Sequence, residues 1–139
     1  TIRHLRGRAA LWMASRGTEN SQFLLRDAES CGRSLINQRG SFAVGWGYAL
    51  CAGLAAYHGD TRNARSLLRN AEADFYEKDM GLYAAAARLQ LGYLAPDDAG
   101  RSLAKRAEDW FLAQGIRRPA RFASMLLPGF AAQTQQTTG

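Results

Sequence analysis

The chain has almost no β-branched aliphatic residues: one valine, Val44, and three isoleucines, Ile2, Ile36 and Ile116, in 139 residues. Strands draw on those residue types, so an all-β fold or a doubly wound sheet would lack material. Lysine is equally scarce, with Lys78 and Lys105 beside sixteen arginines. No apolar run approaches the roughly 18 residues of a membrane span, which excludes a transmembrane helix and a membrane partner of that kind. Thr1 to Arg16 does not read as a signal peptide, because Arg3, Arg6, Arg8 and Arg16 interrupt its apolar residues. Cys31 and Cys51 have no metal-ligand or redox spacing and fit reduced, buried small hydrophobes in a cytoplasmic protein. His4 and His58 lie far in sequence from any cysteine or paired carboxylate. No metal and no cofactor is therefore expected.

Helix formers dominate what is present. Alanine occurs 25 times and leucine 17 times, and these are the strongest helix formers, so the expected class is all-α. Hydrophobic residues make up 47%, enough for a core without a disulfide or metal staple. The length suits a single domain. The net charge is +6 with a pI near 9.9, and the cations are spread over every segment. A dispersed arginine bias of that kind reads as solvated helix faces.

Glycine, proline and cap residues divide the chain. Breaks fall at Arg16-Gly17-Thr18, Arg39-Gly40-Ser41, His58-Gly59-Asp60, Met80-Gly81, Pro96-Asp97-Asp98 and Gly115 to Pro119. Glycine after an apolar run ends a helix, and serine, threonine or aspartate beyond it caps the next. Helices are expected near Arg3–Arg16, Ser21–Gln38, Phe42–His58, Thr61–Asp79, Leu82–Ala95 and Asp98–Gln114. A short helix follows from Pro119 to Leu126, with Pro119 suited to the first helical position and Pro128-Gly129 as its stop. Short connections make neighbouring helices antiparallel. The expected organisation is one domain over 1–130, with hairpins at about 3–38, 42–79 and 82–114, a short helix at 119–126 and a disordered tail at 131–139.

An internal repeat runs through the second helix of each hairpin. Leu24-Leu25-Arg26-Asp27-Ala28-Glu29 recurs as Leu67-Leu68-Arg69-Asn70-Ala71-Glu72 and as Leu103-Ala104-Lys105-Arg106-Ala107-Glu108, after 43 and then 36 residues. A period of this size on helical pairs is the mark of a solenoid, in which each pair is too thin to bury its own apolar face. The alanines at 28, 71 and 107 would allow close helix approach, and Phe75, Tyr76, Trp110 and Phe111 would fill the space between hairpins.

The middle hairpin resembles a tetratricopeptide repeat. Aligned on Gly59-Asp60, Tyr48, Cys51 and Ala52 fall at the motif positions of its first helix, and Ala64, Leu68 and Ala71 at those of its second. Cys51 stands where leucine is usual, Ala55 replaces a later tyrosine, and Tyr76 takes the closing proline position. The resemblance implies three stacked hairpins whose first helices line a concave surface. A second resemblance covers Trp110-Phe111-Leu112-Ala113-Gln114-Gly115-Ile116-Arg117-Arg118-Pro119, then Arg121-Phe122 and Met125-Leu126-Leu127-Pro128-Gly129-Phe130. This stretch is similar to the extreme C-terminus of large bacterial serine/threonine protein kinases, which carry an N-terminal kinase domain and a helical-repeat C-terminal region. It implies the end piece of a signalling protein, and the absence of a methionine at Thr1 agrees with a fragment.

No catalytic constellation is present in the sequence. Kinase chemistry needs a glycine-rich phosphate loop, a strand lysine and a catalytic Asp–Asn loop, so the implied kinase activity would lie elsewhere in the parent. Gly45-Trp46-Gly47 lacks the third glycine and preceding strand of a nucleotide loop and reads as a close-packed helix start. His58 sits at a helix C-terminus and suits its dipole, and Asp97-Asp98 reads as an N-cap pair. Asp74, Glu77 and Asp79 read as a solvated helix end.

The expected function is a non-catalytic protein-interaction or scaffolding module. Carrying the repeat register along the chain puts Arg3, Arg6 and Met13, then Trp46 and Tyr57, then Leu89 and Tyr93 on the concave surface. Arginine with aromatic neighbours suits an acidic or extended peptide, and self-association is compatible with the same surface. Two rival readings are small-ligand sensing between hairpins and nucleic-acid binding through Arg62, Arg65, Arg69, Arg117, Arg118 and Arg121. Against the second, acidic residues interleave and no helix-turn-helix or zinc-finger pattern occurs. Titrating salt against binding to random duplex DNA separates the readings: the interaction module expects weak binding, and tight binding with a steep inverse salt dependence would favour nucleic acid.

Overall fold

The helices Ala43–Tyr57, Thr61–Glu77 and Asp98–Ala113 end where local chemistry stops them. In the computed structural model, which describes residues 2–15, 21–38 and 43–130 and the side chains of 5–11, 22–38 and 43–130, seven α helices and no strand occur among the described residues. They are α1 (Ile2–Ser15), α2 (Ser21–Ile36), α3 (Ala43–Tyr57), α4 (Thr61–Glu77), α5 (Gly81–Leu94), α6 (Asp98–Ala113) and α7 (Pro119–Leu126). The all-α expectation holds, and α7 has the predicted bounds. The predicted tail at 131–139 lies outside the described residues.

The α3–α4 and α6–α7 connections share one closing device. After α3, Asp60 N donates to Ala55 O at 2.8 Å and Gly59 N to Ala56 O at 3.0 Å, with Gly59 at φ 81°. After α6, Ile116 N donates to Phe111 O and Gly115 N to Leu112 O, both at 3.0 Å, with Gly115 at φ 86°. Both are Schellman endings, in which a left-handed residue satisfies the last carbonyls. The α4 end corrects the sequence reading. Met80 N donates to Phe75 O at 2.8 Å, and the left-handed position belongs to Asp79 at φ 57°, while Gly81 opens α5. Aspartate tolerates that conformation better than most side chains, so glycine was not needed there. Asp60 and Asp97 cap the next helices, accepting from Asn63 N at 3.2 Å and Gly100 N at 2.8 Å.

Sequential helices pack on one another, α1 on α2 through α5 on α6, while α1 also meets α3 and α7 packs on α5 and α6. A Cβ at Gly7 would touch Leu50 and one at Gly53 would touch Leu11, contacts 43 and 42 positions apart. Helices α1 and α3 therefore run parallel at nearly the 43-residue spacing of the repeat. Trp46 of α3 meets Tyr83 of α5, 37 positions on, with ring centroids 6.0 Å apart. The repeated alanines occupy matching settings: Ala28 and Ala71 are fully buried and Ala107 nearly so, each preceded by a half-buried leucine at 24, 67 or 103. The repeated glutamates each find a partner: Glu29 pairs with Arg33 at 2.6 Å, Glu72 with Arg88 at 2.9 Å, and Glu108 accepts from Tyr93 Oη at 2.8 Å.

Two apolar clusters make the core. The smaller joins Leu11, Ala28, Leu35 and Leu50 from α1, α2 and α3, and the larger runs from α3 to Phe130 around Phe75 and Phe111. Trp46 packs against both. Of the aromatics expected between hairpins, Phe75 and Phe111 are fully buried and Trp110 half-buried, but Tyr76 is 70% exposed. It lies on the outer side of α4, where the Arg88 guanidinium stands 5.8 Å from its ring centre. Asp74 is likewise no solvated residue, being mostly covered and paired with Lys78 at 2.8 Å.

Glycines set the closest crossings. A Cβ at Gly47 would lie 2.7 Å from the Gly32 carbonyl oxygen and 2.7 Å from Ile36 N, both backbone atoms. An exposed helical glycine gains about 1 kcal/mol on replacement by alanine. Gly47→Ala should instead lose roughly 1–3 kcal/mol, the range for overpacking a tight interior, read as a lower denaturant midpoint with unchanged slope.

Candidate functional site

The residues singled out in the sequence do not converge on one open surface. Leu89 is fully buried in α5 and takes no part in any accessible face. Its helix is buried along most of its length, against α4, α6 and α7, so the amphipathic register expected of an exposed first helix does not apply. Tyr93 turns to α6 and bonds Glu108. Trp46 is half-buried against Tyr83. Arg6 is exposed but held by Asp27 of α2, at 2.7 Å from Oδ1, and that carboxylate raises the guanidinium pKa further by hydrogen bonding and charge. Tyr57 is 39% exposed at the end of α3, edge-on to His58 at 5.5 Å. Arg3 and Met13 belong to α1, and their side chains lie outside the described residues.

An open cavity among the described residues lies elsewhere, between α2, α3 and α4, with a volume of about 780 Å³. Helix α2 presents Gln22, Leu25, Arg26, Glu29 and Arg33 to it, residues at helical spacing on one stripe. From α3 come Cys51, Leu54 and Ala55, with Tyr57 beside them, and His58 follows just past its end. The first turns of α4 and its cap add Asp60, Asn63 and Leu67. Leu25, Leu54, Ala55 and Leu67 thus form an apolar floor, and the charged and amide groups form its rim. Arg33 is held by Glu29 at 2.6 Å, and Asp60 is engaged in capping α4, which leaves Arg26 as a rim charge with no ion pair among the described residues.

Of the five predicted site residues whose side chains are described, Tyr57 alone lines this cavity. The α2 stripe was readable from the sequence as spacing of three and four, but no residue there announced that α4 stands off from α2 and leaves the stripe open. Cys51 reaches the cavity from a desolvated position, which raises its thiol pKa above the ordinary value, opposed in part by the charge of Arg33. Among the described residues no group of three or more His, Cys, Asp or Glu side chains is placed to hold a metal ion, and no helix is long and apolar enough to cross a membrane.

A second surface feature involves the opposite side of α3. The segment after α7 crosses Gly53, where a Cβ would collide with the Pro128 carbonyl oxygen, and a Cβ on Gly129 would collide with the Gly53 carbonyl oxygen. Leu127 and Phe130, flanking that contact, are each 1% exposed. In sequence, Pro128-Gly129 reads as a helix stop and carries no signal for this long-range docking.

No family model matches the chain, and neither a curated protein nor a solved structure matches it.

The thiolate is the nucleophilic form, so a raised pKa means less of it at a given pH. Cys51 should react with iodoacetamide at pH 8 several-fold more slowly than a cysteine of the denatured chain, and the rate should climb as pH rises toward 10. Peptide mapping by mass spectrometry reads the two cysteines separately.

Proposed function

We propose that the chain is a non-catalytic protein-interaction module, a tetratricopeptide-like array of three helical hairpins closed by a short C-terminal helix, and that its docking site is the cavity between α2, α3 and α4. The observation that carries the reading is the coincidence of two spacings. The sequence repeats after 43 residues, and α1 lies against α3 with contacts 43 and 42 positions apart. Arrays of this kind act through extended surfaces between repeats rather than through a catalytic centre.

The cavity suits one amphipathic segment of a partner. Its floor offers leucines at 25, 54 and 67 for apolar side chains, and burial of those is the main source of affinity. Its rim offers Arg26 to an acidic side chain, in a chain with net charge +6, so encounter with an acidic segment is favoured by the long-range field as well. The occupant is therefore an acidic amphipathic peptide or helix. The wider setting, as the end of a bacterial serine/threonine kinase, is proposed on the likeness of residues 110–130 to such kinase termini.

Binding of synthetic acidic amphipathic peptides, measured by fluorescence anisotropy, tests the reading. A binder should slow alkylation of Cys51, which lines the cavity. Arg26→Glu should weaken it by roughly three- to tenfold at low salt, as befits a rim charge. Leu25→Glu should weaken it more, with the circular dichroism spectrum unchanged. Binding that leaves Cys51 as reactive as before, or that survives both substitutions, would place the docking site elsewhere.

A further inference from the structure

We propose that the docking site continues from the cavity over α4 into a second groove, between α4, α5 and α6, where Arg65 and Arg69 receive a further acidic stretch of the same partner segment. This rests on the reading of the cavity as the site of an acidic amphipathic peptide. The repeat puts the two grooves in one register. Arg65, Leu68, Arg69, Glu72 and Tyr76 of α4 stand 43 positions after Gln22, Leu25, Arg26, Glu29 and Arg33, the stripe that α2 presents to the cavity. Contacts show that the α4 stripe faces α5: Glu72 pairs with Arg88 at 2.9 Å, and the Arg88 guanidinium stands 5.8 Å from the Tyr76 ring centre. Like α2 and α4 across α3, α4 and α6 both pack on the helix between them, α5.

The second groove is charged where the first is hollow. Arg88 follows Cys51 by 37 positions, the advance from α3 to α5 also seen at Trp46 and Tyr83, and its long side chain fills the level that Cys51 leaves open. Above it on α4, Arg62, Arg65 and Arg69 follow one another at successive turns and make no ion pair among the described residues. Arg62 and Arg69 are exposed, and Arg65 is half-buried. Arg65 Nε is shielded from water and has no hydrogen-bond partner. A shielded Nε means that the alkyl stem lies along the protein surface and holds the guanidinium near one place. A fork held this way loses little freedom on meeting a carboxylate, which it matches with two parallel hydrogen bonds.

The stripe is unfavourable to the helix that carries it. Like charges three and four residues apart repel, and cations near a helix N-terminus oppose its dipole. The first turn of α4 has no acidic residue to offset them, and the cap Asp60 is engaged with Asn63 N. The other half of the same helix is neutralised within the fold, Asp74 by Lys78 at 2.8 Å and Glu72 by Arg88. A ligand that brings negative charge to Arg65 and Arg69 forms ion pairs and also relieves this repulsion. Glu72 interrupts the stripe one turn beyond Arg69. A peptide places acidic residues opposite the arginines and neutral ones opposite Glu72, whereas a nucleic-acid backbone would carry a phosphate past that carboxylate. The observations therefore favour a peptide.

The test uses the full chain and a synthetic acidic amphipathic peptide that slows alkylation of Cys51, alone and with a Glu-Ser-Glu-Ser-Glu flank added at either end. One of the flanks should tighten binding by roughly fivefold or more at low salt, as befits two partly exposed ion pairs. That gain should vanish in the double variant Arg65→Met, Arg69→Gln, which should bind the unflanked peptide as the wild-type chain does. The double variant should also melt at a higher temperature, because it removes a like-charge contact and a shielded, unbonded Nε. A lower melting temperature would mark the two arginines as structural and overturn the proposal. A flank without effect at either end, or a gain that survives the double substitution, would overturn it while leaving the cavity reading intact. Failure of every unflanked peptide to protect Cys51 would instead sink the cavity reading, and this inference with it. Random duplex DNA that binds more tightly than the flanked peptide, and is lost in the double variant, would assign the stripe to phosphates and likewise overturn the proposal.

Discussion

Helices in this protein meet backbone against backbone, and the architecture follows from that closeness. Gly47 lies against the Gly32 carbonyl, Gly92 against Ala104, and Gly53 against Pro128. Alanine-rich helices carry little apolar volume per residue, so they gain dispersion contacts by approaching closely rather than by interlocking large side chains. Four consecutive alanines in α5, 84 to 87, are all buried, and that helix is buried along most of its length. The few large side chains then fill what close approach leaves open, Phe75 toward Tyr83 and Phe111 toward Phe122.

Close approach also divides the molecule's surface into two kinds. Where small residues line up, helices close over each other or over the C-terminal segment, and the face of α3 that carries Gly53 is filled. Where α2 and α4 turn longer side chains toward each other across α3, they stand apart and leave the cavity. Polar groups follow the same division. Along the closed crossings they are paired from helix to helix, as Arg88 with Glu72 and Tyr93 with Glu108. At the cavity rim Arg26 remains available, and in the interior Gln90 stands out as a buried amide with unused bonding capacity.

Much of this was legible residue by residue. Gly59-Asp60, Pro96-Asp97 and Pro119 mark helix limits through interactions within a few positions, and the observed caps use those residues. Asp79 was not legible as a left-handed residue because Gly81 offered a stronger glycine signal two positions on, and the choice between them rests on where α5 must begin to meet α4. Tyr76 looked like filler for the core by its spacing from Ala71. Yet Phe75 already occupies the inward position, and a neighbour one residue on points about 100° away. Leu89 and Tyr93 were assigned to an open face because a repeat register treats all first helices alike, and α7 covers α5 alone.

Helix positions, their order and the advance of 43 and then 36 residues between repeat copies are local or periodic properties, and the chain's own residues state them. Which faces remain open is a different kind of quantity. It depends on partners such as Gly53 and Pro128, 75 positions apart in the chain, and on the width between α2 and α4. Exposure belongs to the packed assembly, since a side chain is covered by whatever arrives from elsewhere in the sequence. The all-α class and most helix limits could therefore be read from the sequence, and which faces stay open could not.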